Sequence, residues 1–214
     1  MPLKHLKPFQ VDPNRVDKQE ITELVNKISI SSKVSEIQEL FDSNISLCAH
    51  LLKNGYIRYQ EIYFLSTSLI VDGAKRPDYI CGCYHPKTGV SWYAIICAGP
   101  QEQTWDKDFE LTTVGKKSFD RLNYCIDNLG DILISNGLIK SVDPTRIYGL
   151  LIIGQDREFF RNPKKQARKR EINQNSAIQL RTYGAFLRRF NRQKKLGSLD
   201  SLVKNFRNLF QRKS

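Results

Sequence analysis

The chain has 214 residues and a formal net charge of +12, and 40% of its residues are hydrophobic. That apolar fraction is enough for a folded core, so disorder along the whole chain is not expected. No apolar stretch approaches the roughly 20 residues needed to cross a bilayer, and the N-terminal residues lack the apolar run of a secretory signal. The five cysteines are odd in number and mostly lie in apolar segments, which favours reduced, buried thiols in a cytoplasmic protein.

The positive charge is concentrated at one end of the chain. Residues 157–214 contain 17 Lys or Arg and 3 Asp or Glu, whereas residues 1–156 contain 17 and 19. A positive field confined to one quarter of the chain favours a polyanionic partner, either a nucleic acid or an anionic membrane surface. A solubilising tail is the alternative, but apolar residues are interleaved with these charges.

The first third of the chain predicts an arm and two helices. Residues 1–16 contain three prolines and no periodicity, which is typical of an extended arm. Residues 17–27 have apolar residues at helical spacing. Ser35 can cap a second helix, which continues with gaps to residue 52 and ends at Asn54-Gly55.

The middle and end of the chain alternate between strand and helix patterns. Short apolar or alternating runs predict five strands, at residues 56–65, 76–84, 90–98, 146–153 and 177–181. Helical spacing predicts helices at residues 116–134, 183–195 and 198–210, while residues 161–171 suit a helix or a loop. The predicted fold class is therefore α/β (α+β), a central mixed sheet flanked by helices.

Three segments are expected. Residues 1–32 form an N-terminal arm and helix, residues 33–195 form the main domain, and residues 196–214 form a basic amphipathic C-terminal helix. That last helix could bind a protein partner or a second copy of the chain.

Five motifs, in this order, resemble the nuclease domain of the Shedu anti-phage defence proteins, a branch of the PD-(D/E)XK nuclease superfamily. They are Glu36-Ile37-Gln38-Glu39-Leu40-Phe41 with Asn44, Arg76-Pro77-Asp78-Tyr79-Ile80, residues 93–100 ending in Gly99-Pro100, Gly149-Leu150-Leu151-Ile152-Ile153-Gly154, and Ile178-Gln179-Leu180-Arg181-Thr182-Tyr183 with Phe186-Leu187. The resemblance covers about residues 33–190 and implies a nuclease-like sheet with Asp78 at its catalytic position.

Half of the catalytic motif implied by this resemblance is missing. Phosphodiester hydrolysis by these enzymes needs Mg²⁺ held by acidic side chains and a Lys two residues beyond the second acid. Where Glu-x-Lys should precede Gly99-Pro100, the chain reads Ile96-Cys97-Ala98. We therefore expect no cofactor and a fold that has lost its chemistry. If the protein is active, the resemblance implies Mg²⁺ at Asp78 and a relocated carboxylate from Glu36, Glu61 or Glu102.

A zinc site is an alternative use of Cys81-x-Cys83-x-His85, which share one face of a predicted strand. The predicted hairpin sets Cys81 opposite Ala94 and Cys83 opposite Trp92, which brings no fourth ligand into reach. Buried thiols are the favoured interpretation.

Basic residues around the last strand are the candidate nucleic-acid contacts. They are Lys164, Lys165, Arg168, Lys169, Arg170, Arg181, Arg188, Arg189 and Arg192. We predict a nucleic-acid-binding protein, with DNA preferred over RNA as partner, that has a Shedu-like fold without catalysis and acts in anti-phage defence or a mobile-element system. The alternatives are an active metal-dependent endonuclease and a protein- or membrane-docking module.

Overall fold

The computed structural model describes residues 18–29, 33–43, 61–66, 76–85, 87, 89–137, 139–160 and 162–184. The α-helices are α1 (Lys18–Ser29), α2 (Val34–Ser43), α3 (Thr113–Ser135) and α4 (Pro163–Asn175). The strands are β1 (Glu61–Ser66), β2 (Tyr79–His85), β3 (Gly89–Cys97), β4 (Ile147–Ile152) and β5 (Ile178–Arg181). Short 3₁₀ turns at Pro144–Arg146 and Asp156–Glu158 flank β4.

The strands form one five-stranded sheet in the order β1-β2-β3-β4-β5. β2 pairs antiparallel with both β1 and β3, while β4 pairs parallel with both β3 and β5. Each parallel pair is joined through a helix, α3 before β4 and α4 before β5, as parallel pairing requires. The predicted mixed sheet flanked by helices is confirmed, and the predicted segment 161–171 is helical from Pro163 onward.

The β2–β3 hairpin is paired one residue away from the predicted register. Cys81 lies opposite Tyr93 rather than Ala94, and Cys83 opposite Ser91 rather than Trp92. His85 pairs with Gly89, so the turn contains three residues instead of an even number. A one-residue shift changes which cross-strand neighbours share a face, so the predicted cross-strand partners of both thiols were wrong.

Helix α3 covers one face of the sheet. Thr112 caps the N-terminus of α3, because its Oγ1 accepts a hydrogen bond from the backbone N–H of Gly115 at 3.0 Å. Buried α3 residues at helical spacing pack against the apolar side chains of the central strands; they include Leu122, Cys125, Leu129 and Leu133. Gly149 in β4 permits this close packing, because a Cβ there would lie 2.8 Å from Ile126 Cδ1.

Helices α1 and α2 pack together through fully buried Leu24, Ile28 and Phe41. Phe41 meets Tyr79 of β2 edge-on, with ring centroids 6.4 Å apart, and the Tyr79 hydroxyl donates to Gln38 O at 3.2 Å. Helix α1 is therefore part of the packed domain that was predicted to begin only at residue 33.

Several predictions fall outside the described residues. These are the arm at 1–16, the continuation of the second helix beyond Ser43, strand residues 56–60, and the helices predicted at 183–195 and 198–210. No helix in the described part of the chain is both long and apolar enough to span a membrane.

Candidate functional site

Asp78 lies just before β2 and beside β3, near the centre of the sheet. Its backbone N–H donates to Ile95 O at 2.8 Å, and its Oδ2 accepts from the backbone N–H of Cys97 at 2.7 Å. The expected position of Asp78, next to the strand that carries Cys97, is confirmed.

Ile96 and Ala98, the two residues near Asp78 to which the resemblance assigns catalytic positions, are apolar. Because Tyr79 pairs with Ile95, one step further along the ladder brings Asp78 beside Ile96. Ile96 is 1% exposed and Ala98 is 6% exposed, and both pack in the core beneath α3. They occupy the positions at which the resemblance to PD-(D/E)XK nucleases would require an acid and a lysine.

Arg121 of α3 supplies the positive charge next to Asp78. Its Nη2 donates to Asp78 Oδ1 at 2.7 Å and its Nε donates to Arg76 O at 2.7 Å. The Asp78 side chain is 11% exposed and that of Arg121 is 29% exposed. Such partly buried charge-assisted bonds are stronger than neutral ones, so the guanidinium holds the Asp78 carboxylate in place.

These residues do not fit a Mg²⁺ site. Mg²⁺ binds near-octahedral oxygen ligands, usually one or two carboxylates with water and substrate oxygens, but both carboxylate oxygens of Asp78 already accept hydrogen bonds. Among the described residues, no group of three His, Cys, Asp or Glu could hold a metal ion. We therefore assign no step to a metal at this position.

The other carboxylates considered from the sequence do not complete the site either. Glu36 is exposed on α2, and Glu102 is exposed in the loop after β3. Glu61 pairs with Tyr84, near the opposite end of β2 from Asp78. Tyr84 is six residues from Asp78 along the strand, which corresponds to about 20 Å at about 3.3 Å per residue.

Asp42 of α2 is the carboxylate that sequence reasoning missed. Partial burial raises the pKa of Asp42, and the negative charges of Asp78 and Glu39 raise it further, against a hydrogen bond from Tyr79 that lowers it. Asp42 therefore lies within electrostatic range of Asp78. The motif that resembles the Shedu family comprises residues 36–41 with Asn44, so it includes Glu36 but not Asp42.

The cysteines near this site are buried and unreactive. Burial raises the pKa of Cys97 well above its usual value, and the Asp78 carboxylate raises it further. Burial also raises the pKa of Cys125 to about 11. Cys81 and Cys83 are buried with their Sγ atoms 3.6 Å apart. A nucleophilic cysteine requires a lowered pKa and access, so these four are core thiols, as predicted.

The predicted basic face is only partly formed by the residues named from the sequence. Lys164, Arg168 and Arg170 of α4 are exposed. Arg168 forms an exposed ion pair with Glu171 at 3.2 Å, and Lys164 Nζ lies 5.1 Å from the centroid of the Phe109 ring. These three side chains are accessible to a ligand.

Lys165 lies inside the protein, so its expected place on the basic face was wrong. Its Nζ donates to Trp105 O at 2.6 Å and lies 3.5 Å from Glu158 Oε1. The Glu158 carboxylate also accepts from the backbone N–H groups of Thr104 and Trp105, at 2.9 Å each. We call these groups the Glu158 cluster; it joins α4 to the loop that follows β3.

Lys169 is also directed inward. Its Nζ lies 4.4 Å from the centroid of the Phe159 ring. Burial, together with the smaller effect of the nearby Arg181 charge, lowers the pKa of Lys169 to about 8. Arg181 itself is half-buried and donates to Gln179 Oε1 at 3.3 Å. Arg188, Arg189 and Arg192 lie outside the described residues.

Comparison with known proteins adds no assignment. The chain matches no protein-family model and no curated protein. Its function is therefore inferred from two features, the ion pair of Asp78 with Arg121 beside the sheet and the exposed cations of α4.

Proposed function

We propose that the chain is a non-catalytic nucleic-acid-binding domain with a Shedu-like, PD-(D/E)XK-type fold, and that DNA is its preferred partner. The observation that carries the proposal is the surface of α4. This helix has five basic residues and one acidic residue, and Lys164, Arg168 and Arg170 are exposed among them.

Electrostatics favour a polyanion at this helix. Lys164 and Arg168 are four residues apart, so they lie on the same side of α4 and repel each other. The Arg168–Glu171 pair offsets little of this repulsion, because both side chains are more than half exposed. Phosphates that neutralise the cations release condensed counterions, which favours binding without regard to base sequence.

The strand order supports the fold part of the proposal. The Pro77-Asp78 strand pairs with the strand that ends before Gly99-Pro100, and the strand of Gly149 lies beside it, with β5 next. The motifs that resemble Shedu nucleases are thus neighbours in space as well as in sequence.

The Asp78–Arg121 pair supports the loss of catalysis. The Arg121 guanidinium already neutralises the Asp78 carboxylate, which disfavours a divalent cation there, and Ile96 and Ala98 cannot take over as ligand and cation. Without the metal, hydrolysis loses both charge stabilisation and the source of hydroxide. A role in defence or in a mobile element would then depend on binding rather than on cutting.

The binding test compares two triple variants of equal charge change. Lys164→Ala with Arg168→Ala and Arg170→Ala removes the exposed cations of α4. Lys116→Ala with Lys117→Ala and Lys140→Ala removes three exposed cations elsewhere. Affinities for a labelled duplex DNA and the matching RNA are measured at several salt concentrations.

We expect the α4 variant to bind all sequences more weakly. The slope of the logarithm of its binding constant against the logarithm of salt concentration should be smaller in magnitude by up to about 3, since each phosphate contact contributes about 0.9 to that slope. The control triple should change much less. Equal weakening by both variants, or no binding by the wild type at low salt, would contradict the proposal. A protein- or membrane-docking role would then be the better explanation.

The catalytic test is incubation of plasmid DNA and RNA with Mg²⁺ or Mn²⁺. We expect no cleavage. Cleavage that is abolished by Asp78→Ala would show that the protein is an active nuclease with relocated ligands.

A further inference from the structure

Strand β5 lies at one end of the sheet formed by the described strands, so one of its edges faces away from β4. An edge strand presents a row of backbone N–H and C=O groups that can pair with a strand of another molecule. The contacts made by the outward backbone groups of β5 therefore decide whether the sheet can be extended at this end.

Alternate residues of β5 point their backbone groups toward β4. The carbonyl groups of Ala177 and Arg181 accept hydrogen bonds from backbone N–H groups in and directly after β4, at 2.9 and 3.0 Å. Because the direction of the backbone groups alternates along a strand, those of Ile178 and Leu180 point to the outer edge. These two residues supply the N–H groups that an added strand would need.

Both of these N–H groups are bonded to side chains of the same chain. The Leu180 N–H donates to Asn173 Oδ1 at 2.6 Å, and the Ile178 N–H donates to Ser176 Oγ at 3.1 Å. The Leu180 carbonyl accepts from Arg181 Nη1 at 3.3 Å. A strand that approached this edge would have to displace these side chains before it could pair.

The position of Asn173 suits this contact better than it suits the helix. Asn173 lies in the last turn of α4, where asparagine is a poorer helix former than leucine or alanine. It is half-buried, whereas Asn175 in the same turn is exposed. Ser176, which follows α4 directly, also donates to Ile172 O at 2.8 Å. The end of α4 is therefore held against the outer edge of β5.

We propose that Asn173 and Ser176 close the β5 edge to strand pairing, and that without them β5 would pair with β5 of a second copy of this chain. Proteins close sheet edges by covering them and by placing charged side chains on them, and this edge has both, the end of α4 and Arg181. A second copy is the occupant of an opened edge, because two identical strands related by a two-fold axis offer each other matching donors and acceptors. The proposal depends on the hydrogen bonds of β5 and not on nucleic-acid binding.

The test compares the wild type with four variants. Asn173→Leu keeps the size of the side chain and removes the acceptor, while Asn173→Asp keeps an acceptor oxygen. Asn175→Leu adds the same apolar side chain at an exposed position two residues away, so it is the control for the new leucine. Ser176→Ala removes the other acceptor. Analytical ultracentrifugation over a range of protein concentrations measures the mass, and NMR hydrogen exchange measures the protection of the Leu180 and Ile178 amides.

We expect the wild type, Asn173→Asp and Asn175→Leu to have the same mass at every concentration. In dilute Asn173→Leu the Leu180 amide should exchange about 2- to 12-fold faster than in the wild type, the factor that corresponds to one hydrogen bond. As the concentration rises, the mass of Asn173→Leu should approach twice that of the wild type. The Leu180 amide should then become protected again, because it bonds to the partner strand. Ser176→Ala should act in the same direction, through the Ile178 amide.

Three results would overturn the proposal. Faster exchange in Asn173→Leu without an increase in mass would show that the bond only stabilises the fold. Equal self-association of Asn175→Leu would show that an added leucine, and not an opened edge, is the cause. Self-association of the wild type to the same extent as Asn173→Leu would show that the edge is not closed. Circular dichroism checks that each variant is folded, and if Asn173→Leu is not, the mass of Ser176→Ala decides in the same way.

Discussion

Breaking the Glu158 cluster should be among the most destabilising single changes in the protein. The change we consider is Glu158→Gln, which keeps the size of the side chain and removes its charge. In the native structure the Glu158 carboxylate accepts from Thr104 N and Trp105 N and pairs with Lys165, and its side chain is only 4% exposed. The substitution leaves the Lys165 ammonium, 10% exposed, without a counter-charge.

The expected loss follows from that burial. Removing one partner of a buried ion pair costs about 3–5 kcal/mol, because the remaining charge is desolvated without compensation. For a chain of this size, 1 kcal/mol corresponds to about 2–4 °C in Tm, so Tm should fall by about 6–20 °C. Urea denaturation and a thermal melt of wild type and variant measure both quantities.

Two further variants make the prediction specific. Glu171→Gln breaks the exposed pair with Arg168 and should cost no more than about 1 kcal/mol. Lys165→Met combined with Glu158→Gln should cost less than the sum of the two single changes, since no lone charge is then left in the interior. If Glu158→Gln is no more harmful than Glu171→Gln, the argument from burial is refuted.

Three other changes test separate parts of the structure. Folding lowers the pKa of Lys169 from 10.5 to about 8, so between these pH values the unfolded state binds more protons than the folded state. The stability of the wild type relative to Lys169→Met should therefore rise as pH increases from about 8 towards 10.5. Urea titrations at several pH values measure this difference. Gly149→Ala places a Cβ 2.8 Å from Leu122 Cγ and should cost about 1–3 kcal/mol by overpacking, measured by denaturation. Arg121→Met removes the guanidinium that donates to Asp78 Oδ1 and should cost about 1–3 kcal/mol, without any gain of nuclease activity in Mg²⁺.

Each of these three has a result that contradicts it. A constant difference between wild type and Lys169→Met across the pH range would mean that the amine is not desolvated as described. Unchanged stability in Gly149→Ala would mean that α3 can shift away from the sheet at no cost. Metal-dependent cleavage by Arg121→Met would mean that the guanidinium alone blocks a functional metal site.

The strands and the long helix could be predicted because their signals are local. Alternation in β2 and β3 and the 3.6-residue spacing in α3 depend only on neighbouring residues, and the predicted ends of these three elements lie within three residues of the observed ones. The hairpin register could not be derived in this way, because a turn of two residues and one of three share the same Gly and Pro signals around Gly89.

The site was predictable only where a motif marked it. Asp78 follows a proline at the start of a strand, and the missing acid and lysine could be read directly from Ile96 and Ala98. The partner of Asp78 could not, since Arg121 is 43 residues away and meets it only through tertiary packing. A signal was present, however: Arg121 is four residues before Cys125 and borders the apolar stripe of α3.

The orientation of the basic side chains could not be predicted from the sequence. A run of cations in the sequence does not reveal which side chains turn inward, and the inward positions of Lys165 and Lys169 depend on Glu158 and Phe159 in a different segment. Charge counting therefore located the cations on α4 but overestimated how many of them are exposed.

The end of α1 has a consequence for the order in which the newly made chain assembles. The carbonyl of Ile28 accepts from the side-chain amides of both Gln101, 73 residues later, and Gln155, 127 residues later. At about 5–20 residues per second, the ribosome needs about 6–25 s to add the second of these partners. During that interval the apolar side of α1, with Leu24 and Ile28, can pack against α2, which follows it directly in the chain, but the bonds from Gln101 and Gln155 cannot form. The docking of α1 onto the rest of the domain is therefore completed only after the segment that follows β4 has been made.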